Sequence, residues 1–397
     1  MTRRAWDNRM PFATSSPVRL IPLAACAALH TACSHPAPPP PDITLRPADA
    51  TLPVDFSFVG AVRELPDGRV IIADEQETRL VVADSALRGV TPISRTGDGP
   101  GEFRTLSIPW ALGGDSTLIP ERNRHRWIIL DRDSPVATMA QNGPAEAPFY
   151  GGRVVGSDGA GEIIGLAAAL RPNGRPVWPS DSSLLLRVRL NGARVDTLGQ
   201  IYEGMKAQDA AGEPAAASRG AASTKPIYVV ALIDPDQVAV FADGSIAIAR
   251  TNPYRVDWCT PSGTCTSGRV LAPRVPMTDR EKHAYLEFTA KTTRWPPTKN
   301  LDQTVGWTSY VPPFVMVSGM YHASPLVPLP DGRLLILRLP SADHPLGGYD
   351  VIDRHTGLVG HIALPINQRI VGAGMHSIYL VTTDDNDLQH LERRPWP

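Results

Sequence analysis

Apolar residues in this chain fall in short runs bounded by Gly, Pro, Asp and Asn, with little sustained helical spacing. The clearest stretch opens at Leu65-Pro-Asp-Gly-Arg-Val-Ile-Ile-Ala-Asp74, continues through Arg79-Leu-Val-Val-Ala-Asp84, and closes on Gly97-Asp-Gly-Pro-Gly-Glu-Phe103. The pattern predicts four strands between Val59 and Ser94, with Asp67-Gly68 as the first turn. Weaker copies follow at Leu106–Ala140, at Arg153 onward with Ser183–Leu190, and at Tyr228–Leu271. A fifth copy, Leu326–Leu364, repeats the opening as Leu329-Pro-Asp-Gly-Arg-Leu-Leu-Ile336, and a shorter sixth runs from Gln368 to Arg393.

Repetition at this period points to an array in which no single sheet can bury both of its faces alone. Six such sheets around an axis make an all-β fold, a six-bladed β-propeller. Either Ile43–Leu45 or Val54–Phe58 is placed to complete the last blade from the N-terminal side. One helix interrupts the pattern: Thr278 and Glu281 have capping-box spacing, and Ala284, Tyr285 and Phe288 share a face. This short helix opens an insertion over about 277–325, where Trp295, Trp307, Tyr310, Phe314 and Tyr321 could pack the helix down or stack on a ligand. Met205–Pro226, rich in Ala, Gly and Ser, reads as a mobile surface loop.

Composition agrees with many tight turns, since the 397 residues include 40 prolines and 33 glycines. Lys and Arg total 39 against 40 Asp and Glu, a net charge of −1, so no strong positive field draws the chain to nucleic acid. The N-terminus reads as an address. Arg3, Arg4, Arg9 and Arg19 precede an apolar run over Leu20–Leu29, the arrangement of a secretory signal peptide within residues 1–33. Cys26, after Leu-Ala-Ala, has the better lipobox-like context, but Cys33 leaves a full-length apolar segment and a Pro-rich tether over 34–50. Cys33 is therefore the favoured lipidation site and Cys26 its alternative; a plain cleaved signal with incidental cysteines is the competing reading. The propeller then occupies 51–397.

The mature chain retains Cys259 and Cys265, separated by a turn containing Pro261 and Gly263. A hairpin disulfide in an oxidising compartment accounts for them better than a metal site, because two thiolates without an adjacent histidine fall short of four zinc ligands.

Glu77-Thr-Arg-Leu-Val-Val-Ala-Asp84 and Ile93-Ser-Arg-Thr-Gly-Asp-Gly-Pro-Gly-Glu-Phe103 resemble an NHL-type repeat. From about residue 50 to 397 the chain is similar to uncharacterised bacterial six-bladed β-propeller lipoproteins. That resemblance implies the fold and does not imply a function.

No Gly-x-Ser-x-Gly, His-Glu-x-x-His or Gly-x-x-x-x-Gly-Lys motif is present, which removes the commoner hydrolase, zincin and P-loop classes. Gly97–Gly101 reads as a turn between blades, since Pro100 removes a donor N–H and no helix follows. Asp384-Asp-Asn-Asp387 lacks the glycine and glutamate of a calcium loop and reads as a polar turn. Connections entering the innermost strands offer Arg104, Tyr150, Tyr321, His322 and His376 as candidate binding residues, each with a structural or solvated role as its rival. The sequence thus predicts an exported propeller that binds an extracytoplasmic protein or small ligand, touches a membrane only through its anchor, and needs no cofactor. Its rivals are a hydrolase or lyase similar to metal-dependent lactonases or amidating lyases, with a divalent cation such as calcium in the channel, and a structural envelope component.

Overall fold

The computed structural model describes residues 40–99, 101–121, 126–140, 153–167, 182–190, 195–203, 235–292, 307–314, 324–343 and 347–397. In chain order, β1 (Ala50–Phe56) precedes the first blade, β2 (Val59–Glu64), β3 (Val70–Asp74), β4 (Arg79–Ala83) and β5 (Val90–Pro92). The second blade is β6 (Trp110–Gly113), β7 (Ser116–Glu121), β8 (Arg126–Asp131) and β9 (Ser134–Ala140). The third is β10 (Arg153–Ser157), β11 (Glu162–Ala167), β12 (Ser182–Arg189) and β13 (Val195–Tyr202); the fourth is β14 (Gln237–Val240), β15 (Ile246–Thr251), β16 (Tyr254–Cys259) and β17 (Cys265–Thr266). After helix α1 (Asp279–Thr292), the fifth is β18 (Leu326–Pro328), β19 (Leu334–Leu337), β20 (Gly348–Asp353) and β21 (Gly357–Ala363). The sixth contains β22 (Gln368–Ala373), β23 (Ser377–Thr383) and β24 (Gln389–Pro395), and β1 pairs with β24 as its outermost strand. All six sheets are four-stranded and antiparallel, a six-bladed β-propeller with a single helix among the described residues.

The core shows why the strands are apolar on both faces. In β3, Val70 and Ile72 join a cluster with Val371, Tyr379 and Val381 of the sixth blade. Ile71 and Ala73 face the other way, into a cluster with Ile119, Ile128 and Leu130 of the second. The period-two alternation of a strand is thus spent on two neighbouring blades. Further clusters join the second blade to the third, the third to the fourth, the fourth to the fifth and the fifth to the sixth. Six sheets with a shared cluster at each of six seams form a closed ring, whereas an open row would leave two outer faces bare.

The Asp-Gly turns read from sequence have one geometry. Leu65 and Arg69, Phe241 and Ser245, and Leu329 and Arg333 each exchange a backbone bond across the turn, with Gly68, Gly244 or Gly332 at positive φ. Asp67, Asp243 and Asp331 each accept the amide two residues on. Gly97–Glu102 is likewise a self-contained turn, in which Glu102 accepts the Gly99 amide and pairs with Arg95. Phe103 then plugs the seam between the first two blades.

The ring is closed by the second of the two sequence candidates, beginning at Ala50. The other, Ile43–Leu45, lies outside the fifth blade: Ile43 donates to the His361 carbonyl, and Leu45 is buried with Val327 and Leu364. The stretch assigned to the tether therefore includes residues that rest on the wheel, because Ile43 and Leu45 have apolar surface to cover. The helix forms where the capping spacing placed it, and the Thr278 hydroxyl accepts the Glu281 amide. The Glu281 carboxylate does not complete the box; it accepts the Ala342 amide and pins the helix to the fifth blade. Tyr285 packs edge-on against Trp307. Cys259 and Cys265 are opposite each other in β16 and β17 and form a disulfide, a bond that fits an oxidising compartment. Met205–Pro226, Trp295, Tyr321 and the N-terminal segment with Cys26 and Cys33 lie outside the described residues. No helix among the described residues is long and apolar enough to cross a membrane.

Candidate functional site

Antiparallel pairing sends the connections alternately to two ends of the wheel. At one end they are short turns, of which 84–89 is the longest. The other end receives 93–109, 141–152, 168–181, 203–236, 267–325 and 338–347. It is also where every innermost strand begins, so it forms the mouth of the central axis. Insertions that extend one end only are how a propeller acquires a recognition surface on an otherwise repetitive frame.

Most buried carboxylates at the mouth serve as staples. Asp74, fully buried at the end of β3, accepts the Ser57 and Phe58 amides at 3.2 and 3.0 Å and the Arg79 guanidinium at 3.1 Å. Glu121 at the end of β7 repeats this with the Arg104 and Thr105 amides and Arg126. Asp236 takes the Tyr202 and Thr251 amides and Arg250. Each carboxylate ties the chain entering an innermost strand to the second strand of a blade, which consumes its lone pairs. At the seam between the fourth and fifth blades, Asp350 accepts from the Tyr254 hydroxyl at 2.7 Å and from His361 at 2.7 Å. Burial, reinforced by the Asp350 charge, raises the Tyr254 phenol well above its ordinary range, so it stays a donor.

The exception lies between the sixth and first blades. Arg369 is the second residue of β22 and pairs with Val381; Arg153, paired with Leu166, holds the comparable place in β10. Its guanidinium lies over the Phe58 ring at 5.2 Å and donates to the carbonyls of Val59 at 2.6 Å and Gly60 at 3.4 Å. Desolvation lowers its pKa, and the charges of Tyr349 and Glu75 act the other way. Glu75 reaches over Gly60 beside it, where a side chain on residue 60 would collide with its carboxylate. On the same end, Trp110 opens β6 and Gln237 opens β14, and their side-chain nitrogens are buried without a hydrogen-bond partner. The mouth therefore offers side-chain donors, a set suited to acceptor groups. Among the described residues no group of three or more His, Cys, Asp or Glu could hold a metal ion.

The sequence candidates do not converge. Arg104 is at the mouth, but its guanidinium is bound by Asp98 through two hydrogen bonds, at 3.1 and 2.8 Å. His376 is exposed in the turn 374–376, at the opposite end, because it follows an innermost strand instead of leading into one. Tyr150, Tyr321 and His322 lie outside the described residues. Sequence reasoning missed the buried side-chain nitrogens of Trp110 and Gln237, whose lack of partners shows only in the folded chain.

No family model matches the chain, and no curated protein matches it. Among solved structures it is similar to a member of the DUF4221 family from Bacteroides vulgatus, with a TM-score of 0.47, 9% identity, and 88% of this chain and 97% of the other covered. It is also similar to a Bacteroides fragilis protein named by inference as exported, with a TM-score of 0.46, 12% identity, and coverage of 89% and 94%. A calcium-binding protein, regucalcin, from Agrobacterium tumefaciens gives a TM-score of 0.41 and 13% identity, with coverage of 90% and 97%. The six blades are defined by the chain's own strand pairing.

Proposed function

We propose that this protein is an extracytoplasmic binding propeller, held to a membrane by a lipid on Cys33 or, alternatively, Cys26, that engages a protein partner or small ligand at the mouth of its wheel. The observation that carries this reading is the asymmetry of the connections: the turn end is uniformly spare, while the mouth end receives every long segment. A purely structural wheel has no need to enlarge one end. The disulfide and the arginine-led apolar run before Cys33 support export.

Hydrogen exchange on the full chain, with and without envelope extract from the producing cells, tests the site. Protection is expected at 57–60, 104–110 and 250–253. Protection confined to the turns 65–69, 241–245 and 329–333, or absent everywhere, removes the reading. Metabolic labelling with a fatty-acid analogue tests the anchor: label is expected in the native chain and lost in C33A or C26A, and a native chain without label, or label kept in both variants, removes the proposed anchor.

A further inference from the structure

We infer that residues 41–45 are a docked strap that fixes the N-terminal tether to the fifth blade, so that a lipid on the upstream cysteine holds the wheel on a shortened leash. This rests on the anchor in the reading above and adds how far that anchor lets the wheel stand from the bilayer. Asp42 and His361 form a parallel bridge on the outer edge of β21, in which the His361 amide donates to the Pro41 carbonyl at 3.0 Å and the Ile43 amide to the His361 carbonyl at 2.6 Å. Both the N–H and the C=O of His361 are thereby used. Gly360 beside it leaves the room, since a β-carbon there would meet Ile43 Cδ1 at 2.6 Å and the Pro41 carbonyl oxygen at 3.0 Å. Leu45 then enters the apolar cluster between the fifth and sixth blades, and Ile43 packs against that cluster.

Two holds act in succession. After the strap, 46–49 are exposed, and the Asp49 amide then donates to the Arg393 carbonyl at 3.0 Å, where β1 begins to close the sixth blade. Undocking the strap would free the nine residues 41–49 and lengthen the leash by about 30 Å, whichever cysteine carries the lipid. Docked, the strap also puts any pull from the membrane on the fifth blade before it reaches the strand that closes the ring. Covering a bare strand edge is the rival role. It fits poorly, because β9 and β13 are at least as long as β21 and, among the described residues, neither takes a bridge on its outer edge.

Hydrogen exchange on the full chain reads the docking. The Ile43 and His361 amides are expected to be protected, and to exchange about tenfold or more faster in G360V, while the amides that join β20 to β21 keep their protection. If G360V does not fold, the double variant I43D/L45D carries the comparison. Neutron reflectometry of the lipidated chain on a supported phosphatidylethanolamine–phosphatidylglycerol bilayer reads the leash: the gap between headgroups and protein is expected to widen in the released variant. Unprotected amides in the parent, or a gap that does not change on release, overturn the inference. A chain without fatty-acid label removes the anchor and the leash together, whereas label with an unchanged gap removes the leash alone and leaves the anchor standing.

Discussion

The Glu75 carboxylate occupies the space that a side chain at Gly60 would need: a β-carbon built on Gly60 is 1.9 Å from Glu75 Oε1. A side chain at residue 60, where the register between β2 and β3 shifts, would therefore have to displace the Glu75 carboxylate. G60A is expected to destabilise by about 1–3 kcal/mol, the usual range for overpacking. E75A should relieve much of that cost in the double variant, giving a non-additive cycle in urea unfolding. Additive effects would show that the two positions do not compete for space.

Asp74 has a different role from Glu75 next to it. It satisfies two amides and Arg79, so D74A leaves buried donors without partners. A loss of about 2–4 kcal/mol is expected, with D74N keeping part of it because an amide oxygen can still accept. Chemical denaturation measures the difference. A D74A protein as stable as the parent would mean that the staple contributes nothing.

Closure of the ring should depend on pH. His390 of β24 lies between Asp55 of β1 and Asp384, with its two ring nitrogens 2.9 Å from one carboxylate oxygen each. Only the doubly protonated imidazolium can donate to both. Its pKa is raised, chiefly by the Asp384 bond, so its contribution is complete below the unfolded value of about 6.5 and disappears as pH rises through the folded one. The Asp384 carboxyl is lowered, first by His390, so its share is present above about 3.8 and lost as pH falls through its folded value. Thermal melts across pH should show the alkaline part of this loss in the parent and a flatter curve in H390N. An unchanged curve would falsify the latch.

The disulfide joins the outermost strand of the fourth blade to its neighbour, where β17 is only two residues long. Reducing it, or replacing both cysteines by serine, is expected to cost roughly 2 kcal/mol, the scale for closing a short loop. Differential scanning calorimetry with and without reductant reads this directly. A melting temperature insensitive to reductant would show that β17 is held by other contacts.

The wheel was legible because its evidence is local and repeated. Leu65-Pro-Asp-Gly and Leu329-Pro-Asp-Gly each write their own turn, and the uninterrupted apolar run of β3 announces a strand buried on both faces. The closing strand was narrowed to two candidates and no further, since Ile43 and Val54 are equally strand-like and only tertiary packing assigns them. The site was far less readable. His376 and Arg104 were chosen by nearness to innermost strands, but one extra strand crossing places His376 at the opposite end, and Asp98 occupies Arg104 from six residues away.

Pairing of Ala50 with Arg393 makes the earliest strand of the wheel wait for the last. The sixth blade cannot be completed until β24 has been made and is free to pair. Until then Leu52 and Phe56 have no place to go. What covers those two side chains until β24 arrives is therefore part of how this wheel is made.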